Sequence, residues 1–158
     1  MSKLDEARDI LSVLQVLAKQ QNVMCCCVLL AMAGLKEDQC WVNATSNWIR
    51  IHDVIAFASD NYGITYAENS RETIRKQAMH HFRNAAFIED NGKATNSPNY
   101  RYRLTGEMVK IIQSYGSGTW DENLETFLNN HETLISLYAS KRTVRKMPVK
   151  INGSEFTF

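Results

Sequence analysis

Side chains able to do chemistry crowd into residues 69–104. Seven basic residues stand there (Arg71, Arg75, Lys76, Arg83, Lys93, Arg101 and Arg103) against three acidic ones, Glu72, Glu89 and Asp90. The whole chain carries a net charge of only +1, so the remainder stands at −3. Asn69, Ser70, Thr73, Gln77, His80, Asn96 and Ser97 add amide, hydroxyl and imidazole groups to the same stretch. Guanidinium and ammonium groups neutralise phosphate oxygens, and Arg, Lys, Gln and Thr also complement the donors and acceptors of base edges. This set suits holding a polyanion.

Other chemistries find less support. The four cysteines are Cys25, Cys26, Cys27 and Cys40, with no Cys-x-x-Cys and no His-x-x-x-His anywhere. Successive helical side chains point about 100° apart, so three adjacent thiols cannot all face one metal. They read as reduced, mostly buried thiols acting as small hydrophobes. A small enzyme pairing His80 or His131 with a cysteine would need an orienting group, and none is evident.

The elements that must position the basic stretch follow from apolar spacing. Residues 4–20 read as an amphipathic helix, with Leu4, Ile10, Leu11, Leu14, Val16 and Leu17 as its stripe and Asp5, Glu6 and Asp9 near its start. Residues 23–34 are apolar on every side, so this helix is central, and Gly34 stops it. A polar connection over 36–48 holds Trp41 and Trp48. Ile51, Val54, Ile55, Phe57 and Ala58 predict a helix over 51–63 with Gly63 as its C-terminal cap.

Asn69, with Glu72 three residues on, reads as a capping box opening a helix over 70–84. Ile74, Ala78 and Phe82 form its inner face, and Glu72, Lys76, His80 and Arg83 its outer one. A strand over 85–89, a loop over 90–99 with Asn91-Gly92 and Asn96-Ser97-Pro98, and an alternating return strand over 100–104 make a hairpin. On that alternation Arg101 and Arg103 face outward, while Tyr100, Tyr102 and Leu104 pack on Phe82 and Phe87. A short helix over 105–115, a long one over about 121–145 and two strands joined through Asn152-Gly153 complete the chain.

Helix, tight loop, helix, then hairpin is the order of a winged helix-turn-helix, whose second helix enters the major groove while the wing meets the backbone. The expected fold is therefore mainly α: a winged helix-turn-helix core over 50–104, flanked by an N-terminal helical subdomain over 1–49 and C-terminal helices over 105–146, with short antiparallel hairpins. Double-stranded DNA is the expected partner. Asn69, Ser70, Arg71, Thr73, Arg75, Lys76, Gln77 and His80 would face it from the helix, and Lys93, Asn96, Ser97, Arg101 and Arg103 from the wing. A polar helix face is also what plain solvation produces. From the residues alone, a free-standing transcriptional regulator and a module docking an acidic protein stay open.

The 158 residues suffice for one domain with a short appendage, and 44% hydrophobic content supports a core. The charged start lacks the apolar run of a signal peptide, and the longest apolar stretch, Val23 to Leu35, falls well short of a membrane span. A soluble, cytoplasmic protein without membrane contact is expected.

The block Tyr66-Ala67-Glu68-Asn69-Ser70-Arg71-Glu72-Thr73-Ile74-Arg75-Lys76-Gln77, followed by His80-His81-Phe82, resembles the BsuBI/PstI family of type II restriction endonucleases. Asn96-Ser97-Pro98 with Tyr100, Tyr115-Gly116 with Trp120, and Met147-Pro148-Val149 with Asn152-Gly153 extend the resemblance along nearly the whole chain. It implies an N-terminal DNA-recognition half, and a C-terminal nuclease half into which residues 147–158 would lead. That catalytic half, its Mg²⁺ and a homodimer of the full-length protein belong to the implication. A nuclease core of this type places an acid two residues before a lysine, so that carboxylates hold the metal. No lysine here has an Asp or Glu two positions earlier. No catalytic residue, metal or cofactor is expected in this chain itself.

Overall fold

The computed structural model describes residues 2–94, 96–146, 148–151 and 154–157. Helices dominate, and two separate two-stranded antiparallel sheets accompany them. α2 (Val23–Ala33) is the centre. Residues Cys25 to Ala33 are all buried, and α1 (Lys3–Val13), α3 (Ile51–Tyr62), the helical segment Arg75–Met79 and β2 (Tyr102–Leu104) pack around it. Asn22 caps α2 by accepting the Cys25 N–H at 2.9 Å. Gly34 ends it at φ +69°, where a Cβ would come within 2.9 Å of the Thr45 hydroxyl.

α1 is shorter than the apolar stripe suggests. It stops at Val13, and Gln15 takes a left-handed φ of 63° so that the chain can turn back toward α2. A 3₁₀ turn, Ala18–Gln20, follows, and Leu17 is 65% exposed rather than inward. Asp9 lies beyond the first turn of α1 and instead accepts the Tyr115 hydroxyl at 2.8 Å.

α3 ends at Gly63. The next helix is continuous over 71–84 but not uniform: α4 (Arg71–Ile74), a π-helical segment (Arg75–Met79) and α5 (His80–Asn84). The capping box expected at Asn69 does not form. A 3₁₀ turn, Glu68–Ser70, precedes the helix, and Glu72 turns forward to Arg75 instead of back to the cap. In the π segment the His80 N–H donates to the Arg75 carbonyl, five residues back. The wider turn brings Met79 inside beside Ile74, Ala78 and Phe82.

The hairpin is tighter than expected, with β1 at Ile88–Asp90 and β2 at Tyr102–Leu104, paired Ile88 to Leu104 and Asp90 to Tyr102. Ala86, at φ 61°, delays the strand. Ile49 and Tyr102 exchange two backbone hydrogen bonds of 2.8 Å, which adds a one-residue bridge on the other side of β2. α6 (Gly106–Gln113) is capped by Thr105, whose hydroxyl also donates to the Ala86 carbonyl at 2.8 Å. α7 (Trp120–Lys146) buries Phe127 and Tyr138, but leaves Leu137 46% exposed, contrary to its expected inward place. β3 (Pro148–Ile151) and β4 (Ser154–Thr157) pair antiparallel as expected; their Asn152-Gly153 connection, Met147 and Phe158 lie outside the described residues.

One carboxylate ties three elements together. Asp90, at the end of β1, meets Arg83 of α5 at 3.2 Å and Arg145 of α7 at 2.8 Å. Its Oδ1 also accepts the Gly92 N–H at 2.8 Å. Gly92 sits at φ +79°, and a Cβ there would press to 2.8 Å from the Arg145 guanidinium. Burial pushes the Asp90 carboxyl up, but the Gly92 N–H and the Arg145 and Arg83 guanidinium groups outweigh it and hold the pKa below the usual carboxylate range.

Asp90→Asn should therefore cost about 1–3 kcal/mol in urea unfolding, because two partly exposed guanidinium groups lose a buried anionic partner. Since the folded pKa is depressed, this stabilisation is complete above the unfolded value, about 3.9, and is lost as pH falls through the folded one. The wild-type protein should show that acid-side loss, and the variant should lack Asp90's share of it.

The thiols of α2 behave as buried hydrophobes. Desolvation pushes Cys25 up to about 12, and Cys26 and Cys27 each up to about 11. Cys40 is exposed. Iodoacetamide at neutral pH should label Cys40 alone in the native protein and all four cysteines in urea, as read by peptide mass spectrometry.

Candidate nucleic-acid interface

Between the start of α3, the start of α4 and the hairpin loop lies a cleft of about 730 Å³. Arg71, Glu72 and Arg75 line it from the helix, Arg50, Ile51 and His52 from the approach to α3, and Asn96, Ser97, Pro98, Tyr100 and Tyr102 from the hairpin. Four of the expected contact residues, Arg71, Arg75, Asn96 and Ser97, are thus brought to one concavity although the chain separates the two pairs by about 20 residues.

Outside the cleft, the same helix presents Thr73, Lys76, Gln77 and His80 as exposed side chains. Their outward direction follows from the inward set, Ile74, Ala78, Met79 and Phe82, which is anchored on α2 and the hairpin. The Cys25 thiol reaches the Gln77 carbonyl at 3.7 Å, so the backbone beneath the exposed face rests directly on α2. Asn69 is exposed in the preceding turn, and Ser70 is half-buried at the helix start without a side-chain capping bond.

Charge on this surface is partly spent within the protein. Arg75 makes a close two-point pair with Glu72, and Lys76 lies 3.9 Å from the same carboxylate. The Arg75 bond holds Glu72 below its usual pKa. His52 lies 2.9 Å from Glu68, and Arg50 3.5 Å from Asp53. Among the described residues, no carboxylate lies within ion-pair distance of Arg71 or Lys93.

The return-strand arginines depart from expectation. Tyr102 and Leu104 do pack inward. Arg103, however, bonds Glu89 directly across the hairpin at 3.1 Å and lies over the Trp48 ring at 4.2 Å. Cross-strand opposition makes that pairing almost unavoidable. Arg101 folds back to donate to the carbonyls of Pro98, at 2.7 Å, and Tyr100, at 3.0 Å. Neither stands free in solvent; Arg101 braces the loop that carries Asn96 and Ser97.

Arg50, His52 and Tyr100 also line the cleft but are not among the expected contact residues. Arg50 stands at the N-cap of α3 and His52 lies in its first turn, and their basic type was the signal the sequence offered.

The residues considered for catalysis have structural partners. His131 lies 2.7 Å from the Ala85 carbonyl and stacks on Phe87 at 5.4 Å. His80 contacts Asn84 at 3.2 Å, and the Cys26 thiol faces the Gln21 carbonyl. Among the described residues, no three His, Cys, Asp or Glu side chains gather to hold a metal ion. Nor is any helix among them long and apolar enough to cross a membrane.

The chain is similar to known restriction enzymes over most of its length. It is 36% identical over 154 residues to the type II restriction enzyme BsuBI of Bacillus subtilis, covering 95% of this chain and 49% of that protein. It is 28% identical over 149 residues to the type II restriction enzyme AplI of Arthrospira platensis, covering 92% and 46%. The solved structure of SdaI restriction endonuclease superposes with a TM-score of 0.77 at 28% identity, over 98% of this chain and 50% of that one. The chain thus spans about half the length of the curated relatives it matches. Residues 1–136 match the family model described as the BsuBI/PstI restriction endonuclease HTH domain, and the chain belongs to that family.

Proposed function

We propose that this chain is a winged-helix module that binds double-stranded DNA and serves as the recognition part of a type II restriction endonuclease. The observation that carries this reading is the cleft in which the first turns of two successive helices and a hairpin loop present Arg71, Arg50, Asn96 and Ser97 together. The hairpin with its Ile49 bridge corresponds to a wing. Helix 71–84 would lie in the major groove, with Thr73, Lys76, Gln77 and His80 nearest the bases and Arg71 on the backbone. Family membership supports the assignment. Cleavage, its Mg²⁺, the nuclease half, pairing into a two-fold dimer on a palindrome and a cytoplasmic location belong to the proposed whole enzyme.

Binding is tested by fluorescence anisotropy on duplex DNA across a salt series. If roughly four to six phosphates are neutralised, log K should fall against log salt with slope about −4 to −5. A flat response would favour an acidic protein partner and reject the DNA reading.

Gln77→Ala should cost about 1–3 kcal/mol on the cognate duplex and relax selection at one base pair, as measured by selection from a randomised pool.

Replacing Lys93, which has no carboxylate partner among the described residues, by Ala should weaken all duplexes and lower the salt slope by about one unit. Arg101→Ala alone should loosen the loop, and amide exchange over residues 96–100 measures that separately from the charge.

A further inference from the structure

At the far end of the 71–84 helix two guanidinium groups share one carboxylate, and a third lies beside them. Arg83 and Arg145 both engage Asp90. Arg142, one turn earlier on α7, donates to the Arg83 carbonyl at 3.5 Å. Among the described residues, no carboxylate lies within ion-pair distance of Arg142, and the buried Arg83 Nε has no hydrogen-bond partner. The cluster therefore keeps a surplus of positive charge in a partly buried place, an arrangement that costs free energy until an anion joins it.

This place adjoins the proposed DNA-binding surface. The Arg83 guanidinium also reaches the hydroxyl of Tyr100, which lines the cleft, at 3.4 Å. Exposed His80 lies within electrostatic reach of Arg75, Arg83 and Arg142 together; burial first, and then these cations and His81, depress its pKa. Arg142 thus enters the surface from α7, an element about 60 residues beyond the helix it flanks.

We propose that Arg142, together with Arg83, binds a backbone phosphate of duplex DNA at the C-terminal end of the 71–84 helix, making α7 a third DNA-contacting element beside helix and wing. A phosphodiester oxygen matches what the cluster lacks: it brings negative charge and accepts from two guanidinium groups at once. The inference rests on the DNA-binding reading above.

The test compares the full chain with its Arg142→Gln, Arg142→Lys and Arg71→Ala variants on a fluorescein-labelled random-sequence duplex. Anisotropy is titrated between about 50 and 200 mM salt. Arg142→Gln should reduce the salt slope by about one, so that its affinity loss across that range is about fourfold smaller than wild type's, while its absolute affinity at low salt falls. Arg142→Lys keeps the charge and should keep the slope. Melting temperatures that match wild type establish that both variants are folded. Unchanged affinity and slope in Arg142→Gln, with Arg71→Ala clearly weakened, would overturn this inference and leave the DNA-binding reading intact. A folded Arg142→Lys that loses the slope as fully as the Gln variant would also overturn it. If wild type binds no duplex at all, both fall together.

Discussion

Everything here is arranged around a helix that has no solvent face. α2 runs from Val23 to Ala33, and from Cys25 onward every residue is buried. A helix that is apolar all round must be wrapped on all sides, because each exposed side chain would return apolar surface to water. α1, α3, the π segment and β2 supply that wrapping. The proposed reading helix is thereby seated on a helix that is buried from Cys25 onward. Its outward face can consist wholly of polar side chains, because its inward face carries the binding to the core.

The second organising feature is where the few carboxylates of the basic stretch are spent. Glu72 holds Arg75 and approaches Lys76, Glu89 holds Arg103, and Asp90 holds Arg83 and Arg145. Each pairing serves geometry. Glu72 stiffens the first turns of the helix, Glu89 sets the hairpin across its strands, and Asp90 fastens the hairpin between α5 and α7. The charge surplus counted along the chain is therefore not spread evenly over the surface. Within residues 69–104 the cations without a carboxylate at ion-pair distance, among the described residues, are Arg71, Lys93 and Arg101, and Arg142 adds another from α7. Positions that orient the surface and positions that carry its free charge are different residues, so their substitution should have different signatures.

The π segment links these two features. Replacing one α turn by a wider one brings Met79 into the core, and it changes the phase between residues before and after it. Arg71, Glu72 and Arg75 line the cleft, whereas Lys76, Gln77 and His80 lie exposed outside it.

Local periodicity and capping chemistry were enough, by themselves, to determine several things. These are the burial of α2, the succession of helix, turn, helix and hairpin, the inward places of Ile74, Ala78 and Phe82, and the outward places of Lys76, Gln77 and His80. Each follows from interactions spanning a few residues, which is the range over which sequence pattern carries structural information. What only the tertiary structure decided depends on partners distant in the chain. Ala86 and Gln15 take left-handed backbone to satisfy the path of the chain. Arg103 is committed to Glu89 by strand register, 14 residues away, and Leu137 is left exposed by how α7 lies on the core. Arg142 and Arg145 reach Arg83 and Asp90 across more than 50 residues, and Arg50 and His52 meet Asn96 and Ser97 in one cleft. A charge is legible in sequence, but whether it is free or paired depends on what folding places within a few ångströms of it, because ion pairing falls off over that distance while chain separation does not bound it.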